Sequence, residues 1–239
     1  MNKVTDNYAL FSFHFFTKIE WHSPYYNESH RKFRAAVREF VDTELISNIH
    51  EWDEAKQLPR EIMVKGFKAG ILQILVGPPW PTQYGGSVVA GGIKPEEVDY
   101  FHELIAIDEL CRVGSAGLQW GLSAGLSIAL PAVMKFGSKY LQDLVCKPCL
   151  TGEKVICLAI TEPDAGSDVA GLKTVATKTS DGKYYIVNGN KKWITNGVFA
   201  DYFVTAVRTG SNKGHKGVSL LLIPRSKGVN TTQMKCQGE

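Results

Sequence analysis

The sequence predicts an α+β, multidomain chain: an all-helical N-terminal domain followed by a small antiparallel β-barrel domain. Three observations carry this. The hydrophobic period is helical from Ser23 to about Leu150 and falls to two after Gly152. The second half breaks into short β-branched and aromatic runs with no helical stretch between them. The stretch between the two textures, Thr151-Gly152, marks a boundary, so the domains expected are 23–151 and 152–239, with 1–22 as a loosely held leader.

In the first half, Phe33, Val37, Phe40, Val41 and Leu45 recur at spacings of three and four, an apolar stripe beside Arg31, Arg34, Arg38 and Glu39. Pro59 stands where a first helical residue is tolerated, with Ile62, Met63 and Phe67 following on one face. Lys94-Pro95-Glu96-Glu97 reads as a helix start whose acidic residues favour the dipole, and the helix would run to Cys111. On it, His102, Glu103, Asp108 and Glu109 are expected at the surface, solvated or paired with Arg112. Gly77–Pro81 and Gly85–Gly92 must be loop. The apolar stretch Leu118–Val133 is interrupted by Gly121, Gly125 and Pro131 and is short of the ~20 residues of a membrane span, so it reads as a buried helix or helix pair.

In the second half, the expected strands are Val155–Ile160, Leu172–Thr179, Tyr184–Asn188, Lys191–Thr195, Tyr202–Val207 and Val218–Ile223. Asp181-Gly182 is a hairpin turn, since both residues tolerate positive φ.

Composition narrows the function classes. At 44% hydrophobic and 21% charged, the 239-residue chain is an ordinary globular protein able to bury a core without disulfides or metals. A net charge of +3 with dispersed basic residues excludes a phosphate-tracking surface for nucleic acid. Cys111, Cys146, Cys149, Cys157 and Cys236 are odd in number and unevenly spaced, as in an intracellular, reducing compartment. Cys146-Lys147-Pro148-Cys149 lacks the strand before and helix after that a thiol redox centre requires, so a turn with two ordinary thiols is expected. No Cys and His set has zinc spacing, and neither G-x-G-x-x-G nor a P-loop occurs. The leader lacks Arg and carries Asp6 and Glu20, against a transit peptide. The sequons at Asn27 and Asn230 occur at about chance level and carry no weight.

Two segments of the second half carry chemistry. The first, Leu158-Ala159-Ile160-Thr161-Glu162-Pro163-Asp164-Ala165-Gly166-Ser167-Asp168, is a strand running into a Pro- and Gly-marked loop. Such a loop can offer hydroxyls and bare N–H groups to a phosphate, with Gly166 removing the Cβ that would hold a ligand off. The second, Asn188-Gly189-Asn190-Lys191-Lys192-Trp193-Ile194-Thr195-Asn196-Gly197, places a Trp ring and a Thr hydroxyl two residues apart, on one face if the segment is a strand.

Together the two segments resemble the flavin-binding signature of the acyl-CoA dehydrogenase family, and the resemblance covers roughly residues 24–238. It implies FAD as cofactor and an acyl-CoA thioester as substrate, dehydrogenated between its α and β carbons as in fatty acid β-oxidation. It assigns Leu158, Ile160 and Thr161 to the flavin ring, Gly166 and Ser167 to the pyrophosphate, and Ser167 also to the thioester ligand. Trp193 would pack beside the isoalloxazine and Thr195 bond near its N5, with Ala159 and Ile194 counted among the cofactor-binding residues. Asp164 departs from the glycine common there. The resemblance further implies electron-transfer flavoprotein or oxygen as acceptor, a homo-oligomer, and a mitochondrial or peroxisomal address, with the cytoplasm also open. Acyl-CoA oxidases and flavin monooxygenases share both segments. The family's base is a glutamate in a third, C-terminal helical domain. Glu162 lies in the loop and is not that base, and the chain ends at Gln237-Gly238-Glu239. The expectation is therefore a chain truncated before its catalytic residue, holding FAD poorly and inactive alone, or else a non-catalytic flavin- or CoA-binding remnant.

Overall fold

The computed structural model describes residues 23–210 and 214–235; the leader, Cys236 and the chain end 237–239 lie outside them. Helix α1, Glu28–Phe40, starts where the Asn27 side chain accepts the N–H groups of Ser29 and His30. The expected stripe is its buried face: Phe33, Val37, Phe40, Val41 and Leu45 are all in the core, the last two on a π-helical turn, Val41–Leu45. Helices α2, Ile49–Ala55, and α3, Arg60–Lys68, follow; Pro59 is the N-cap of α3, one position before its expected place. A 3-10 turn, Leu72–Val76, and the four-residue α4, Thr82–Gly85, lead to α5, Tyr100–Cys111.

Helix α5 begins later than the sequence indicated. Pro95–Glu97 forms only a 3-10 turn, Val98 is extended, and Asp99 then caps α5 by accepting from the N–H groups of Phe101 and His102. His102 is not a surface residue: it is fully buried, its ring 4.2 Å from that of His30. The cause is a pair of matched capping boxes. His30 Nδ1 accepts the Asn27 N–H, and Nε2 donates to the Asp99 carboxylate at 3.0 Å. His102 Nδ1 lies 2.8 Å from the same carboxylate and 3.2 Å from the Asp99 N–H. Three potential metal ligands thus meet here. With its Nδ1 lone pair given to Asn27, neutral His30 carries its proton on Nε2, so the cluster is a hydrogen-bonded lock between two helix starts.

Glu109 keeps its expected pairing with Arg112 but not its expected place at the surface. It is fully buried and accepts from Arg34 at 2.9 Å, Arg38 at 2.8 and 3.0 Å and Arg112 at 3.1 Å, so it staples α1 to α5. Burial pushes its carboxyl up, but the Arg38 and Arg34 guanidinia outweigh that and hold it below the usual range.

Helices α6, Ala116–Ala124, and α7, Leu130–Phe136, join through a π-helical turn, Gly125–Ala129. The glycines and Pro131 do not break the run. At 21 residues it is long and apolar enough to cross a membrane, but half of it is buried in the protein. The π turn lies on the first strand of the second half, β1, Ile156–Ala159, so close that a Cβ on Gly125 would stand 2.3 Å from the Ile156 carbonyl oxygen. Helix α8, Lys139–Leu150, ends the helical half and contains Cys146-Lys147-Pro148-Cys149 within its last turns, where a turn was expected. Burial pushes the Cys146 thiol up to about 11 and Cys149 further, so neither is a thiolate nucleophile.

The second half holds β1, Ile156–Ala159; β2, Val175–Lys178; β3, Tyr185–Asn188; β4, Tyr202–Arg208; and β5, Val218–Pro224. Helices followed by a small sheet is the order expected. The sheet, however, is mixed, with order β1-β4-β2-β3 and β5 on the other side of β4. β4 runs antiparallel to β5 but parallel to β1, from Ile156↔Tyr202 to Ala159↔Thr205, and meets β2 only at Val175↔Arg208. The hairpin of β2 and β3 turns at Asp181-Gly182 as expected, Gly182 having φ 71. The fourth of the six expected strands, Lys191–Thr195, is not one. Trp193 has φ 60 and Asn196 φ 64, which no strand accommodates. One core runs through both halves, from Phe33 and Leu130 to Ile156, Phe203 and Val204.

Candidate functional site

Strand β1 delivers the first segment. Leu158 is half-buried and Ala159 buried at its end; Ile160 and Thr161, also half-buried, leave the sheet. The chain then folds sharply: the Glu162 and Ala165 backbones exchange hydrogen bonds of 3.0 and 3.2 Å, with Pro163 and Asp164 at the exposed tip. Ala165 points into a small apolar cluster with Leu172 and Ala206, so Gly166 and Ser167 face out. A Cβ on Gly166 would meet nothing within 4 Å. Arg208 secures the stretch that follows, donating to the carbonyl oxygens of Leu172, at 2.7 Å, and Ala170.

The second segment lies directly against the first. The Lys192 N–H donates to the Thr161 carbonyl at 2.9 Å, and Lys191 Nζ donates to the Ile160 carbonyl at 2.9 Å and to Glu162 Oε1 at 2.7 Å. The residue before Trp193 is thus tied to Thr161, and Trp193 and Asn196 lie in the left-handed region rather than on a strand. Trp193 is 59% exposed, with Lys192 Nζ 4.9 Å from its ring centroid. A positive φ on a bulky residue costs of order 1–3 kcal/mol and marks sites where the surroundings over-determine the backbone. Here those surroundings are identifiable. Asn196 Nδ2 donates to the Gly121 carbonyl of α6 at 3.0 Å, and Arg225 donates to the carbonyls of Gly197 and Ala200 at 2.7 and 2.6 Å. Ile194 packs half-buried under the turn.

Glu162 is the electrostatic centre. It is buried and accepts from the Lys173 N–H at 2.6 Å, the Thr174 N–H at 3.0 Å and the Thr174 hydroxyl at 2.5 Å, besides Lys191. Burial pushes its carboxyl up, but the bonds from Lys191, Thr174 and Lys173 overcome this and bring it down to about 2. A carboxylate so acidic and so fully engaged cannot accept a substrate proton near neutrality. Asp164, at the exposed tip, pairs with Lys173 at 2.9 Å rather than entering the loop. The hydroxyls of Thr161, Ser167 and Thr195 have no hydrogen-bond partner among the described residues. The two segments thus offer three hydroxyls without a partner among the described residues, an exposed aromatic ring and an open glycine.

Lys191, Asn196 and Arg225 have no assigned part in the sequence reading. Lys191 and Asn196 lie within the second segment, and only their partners, Glu162 and Gly121, show what they do.

Comparison with known proteins gives a consistent result. The profile described as acyl-CoA dehydrogenase, N-terminal domain, matches residues 27–153, and that described as acyl-CoA dehydrogenase, middle domain, matches 157–237. The chain is 46% identical over 222 residues to acyl-CoA dehydrogenase apdG of Emericella nidulans, covering 91% of this chain and 50% of that protein. It is 32% identical to the caffeyl-CoA reductase–Etf complex subunit CarC of Acetobacterium woodii, with 86% and 51% covered. The crystal structure of acyl-CoA dehydrogenase from Geobacillus kaustophilus superposes with a TM-score of 0.72 at 34% identity, over 85% of this chain and 50% of that one. A glutaryl-CoA dehydrogenase from Mycobacterium smegmatis in complex with FADH2 gives 0.68 at 29%, over 83% and 46%. The chain spans about half the length of the curated relatives it matches.

Proposed function

The chain belongs to the acyl-CoA dehydrogenase family, and from that premise we propose that its paired loop and turn hold FAD for two-electron chemistry between the α and β carbons of an acyl-CoA thioester. The observation that carries this reading is the juxtaposition of the two segments across the Lys192–Thr161 bond, with three unspent hydroxyls and an exposed, backbone-strained Trp193 around it. The residues fit the cofactor. A flat, apolar ring with polar edges needs an aromatic neighbour and hydroxyl donors, which Trp193, Thr161 and Thr195 supply. A pyrophosphate needs close approach to N–H and O–H groups, which the open Gly166 and exposed Ser167 allow.

When bound, FAD supplies the acceptor or donor of a hydride. The chain's own part is to bind and orient. Leu158, Ala159, Ile160 and Thr161 would hold the ring from the loop segment and Trp193, Ile194 and Thr195 from the turn, and Ser167 would serve both the pyrophosphate and the thioester ligand. Glu162 stays ionised and positions the loop, so proton abstraction is assigned to no residue described here. The relatives include a dehydrogenase and a CoA-thioester reductase, so the reaction is defined by the bond and not by its direction. An electron-transfer flavoprotein is the redox partner favoured, because one relative is a subunit of an Etf complex.

The test is a titration of the purified chain with FAD, followed by visible absorption. Binding is expected to be weak, in keeping with the poor retention expected from the sequence, but to saturate near one FAD per chain with a band shape unlike free flavin. Ser167→Ala combined with Thr195→Ala is expected to weaken binding about ten-fold, the worth of one or two hydrogen bonds. Uptake equal in the double variant and the wild type, or a free-flavin spectrum at saturation, would overturn the assignment.

A further inference from the structure

We propose that Lys191 is a positioning residue of this site: by holding Glu162 and the Ile160 carbonyl at once, it sets the turn bearing Trp193 and Thr195 against the loop bearing Thr161, Gly166 and Ser167. The proposal rests on the flavin reading above and deepens it.

An ammonium has three donors and no acceptor. Lys191 directs two of them at different parts of the first segment, 2.9 Å to the Ile160 carbonyl and 2.7 Å to Glu162 Oε1. These bracket Thr161, whose own carbonyl is taken by the next residue of the second segment, Lys192. Both carbonyls that flank the start of the loop therefore turn toward the second segment, leaving the Thr161 hydroxyl unclaimed. Glu162 extends the connection, because its other bonds come from the Lys173 and Thr174 backbone and the Thr174 hydroxyl, just before β2. One nearly buried ion pair, with side chains 12% and 5% exposed, thus ties the loop, the turn and the approach to β2. Ion pairs taken this far out of water add little net stability over an apolar pair of the same size, though losing one partner is costly, and their best-attested use is to select one arrangement over others. A pair linking two ligand-facing segments, each otherwise crossing by a single backbone bond, is placed to do that.

The test compares Lys191→Met, Lys191→Arg and Glu162→Gln in the full chain, with far-UV circular dichroism to confirm folding. Two readouts are needed. For FAD, Lys191→Met is expected to bind at least about ten-fold more weakly, with an altered visible band. Lys191→Arg, which keeps charge and donors, is expected to recover most of that loss. In Lys191→Met with Glu162→Gln together, the loss is expected to be smaller than the two single losses combined, since the second change removes the stranded carboxylate. Without FAD, hydrogen exchange at the amides of Glu162, Ala165 and Lys192 is expected to accelerate together in Lys191→Met while helices α1 and α5 stay protected. Should Lys191→Met fail to fold, Glu162→Gln carries the same exchange comparison. Binding within two-fold of wild type in Lys191→Met, or unchanged exchange across these three amides, overturns the proposal. A wild-type chain that takes up no FAD instead sinks the flavin reading, and the exchange result then decides the clamp alone.

Discussion

Glu162 shows how one side chain can be read wrongly from its type and rightly from its partners. A carboxylate inside a ligand loop invites the role of base, yet four donors from Lys191, Thr174 and Lys173 hold it ionised down to about 2. The sign of its contribution to stability follows. Its folded pKa lies below the ordinary 4.5, so its stabilisation is complete above about 4.5 and is lost as pH falls through about 2. At neutral pH the shift corresponds to an upper bound of roughly 3 kcal/mol. Glu162→Gln is therefore expected to unfold at lower urea than wild type at pH 7, with the gap narrowing steadily below pH 4.5. A gap of equal size at pH 3 and pH 7 would show that the charge contributes nothing. Gly166, Ser167, Trp193 and Thr195 sit in two local motifs, which is why the sequence could nominate them. The burial of Glu109 and His102 was not legible there. Beside near partners three residues away, Glu109 is buried by Arg34 and Arg38, 75 and 71 residues off, and His102 by His30, all on α1, and a polar residue among polar neighbours reads as surface until the facing helix is known.

Among the elements, the α6–π–α7 run is the one whose geometry the site depends on, because it carries the Gly121 carbonyl that holds Asn196 and the Gly125 contact with β1. The two glycines are expected to behave oppositely. At Gly125 a Cβ would stand 2.3 Å from the Ile156 carbonyl oxygen, a backbone atom that cannot step aside. Gly125→Ala is expected to cost about 2 kcal/mol or more, through displacement of the helix from the sheet. At Gly121 the added Cβ meets only the end of Leu58, at 3.4 Å, so Gly121→Ala is expected to be neutral or to stabilise by up to ~1 kcal/mol through helix propensity. Chemical denaturation of both variants checks the pair; equal effects would mean that the close approach at Gly125 is not what fixes the contact. The sequence signalled glycines here as interruptions, because composition cannot tell a glycine that ends a helix from one that lets it pack. The same ambiguity explains the lost fourth strand: Lys191–Thr195 has strand composition, but Asn196 and Arg225 hold the backbone in a turn that only their distant carbonyl partners reveal.

For the molecule as a whole, the order of helices and then strands could be read from a change of hydrophobic period, but the seam between them could not. It is built from residues that look unremarkable in sequence. Asp201 accepts the Val155 N–H at 2.9 Å, Lys154 Nζ at 3.1 Å and Arg60 Nη2 of α3 at 3.4 Å, beside a core in which Met63, Leu126, Cys149, Ile156 and Phe203 are continuous. The neighbouring carbonyl of Glu153 takes Arg60 as well, at 3.2 Å. A core shared across the seam makes the two halves one cooperative unit, so calorimetry of the chain is expected to give a single endotherm whose calorimetric and van't Hoff enthalpies agree. Asp201→Ala orphans the buried Val155 N–H and releases two cations, which is expected to cost about 1–3 kcal/mol and lower the midpoint by several degrees without splitting the transition. Two endotherms in the wild type would mean that the apolar continuity does not couple the halves. The Asn196–Gly121 bond would then be the chief tie between the helical half and the turn that carries Trp193, and strain in that turn would no longer be set by the helices.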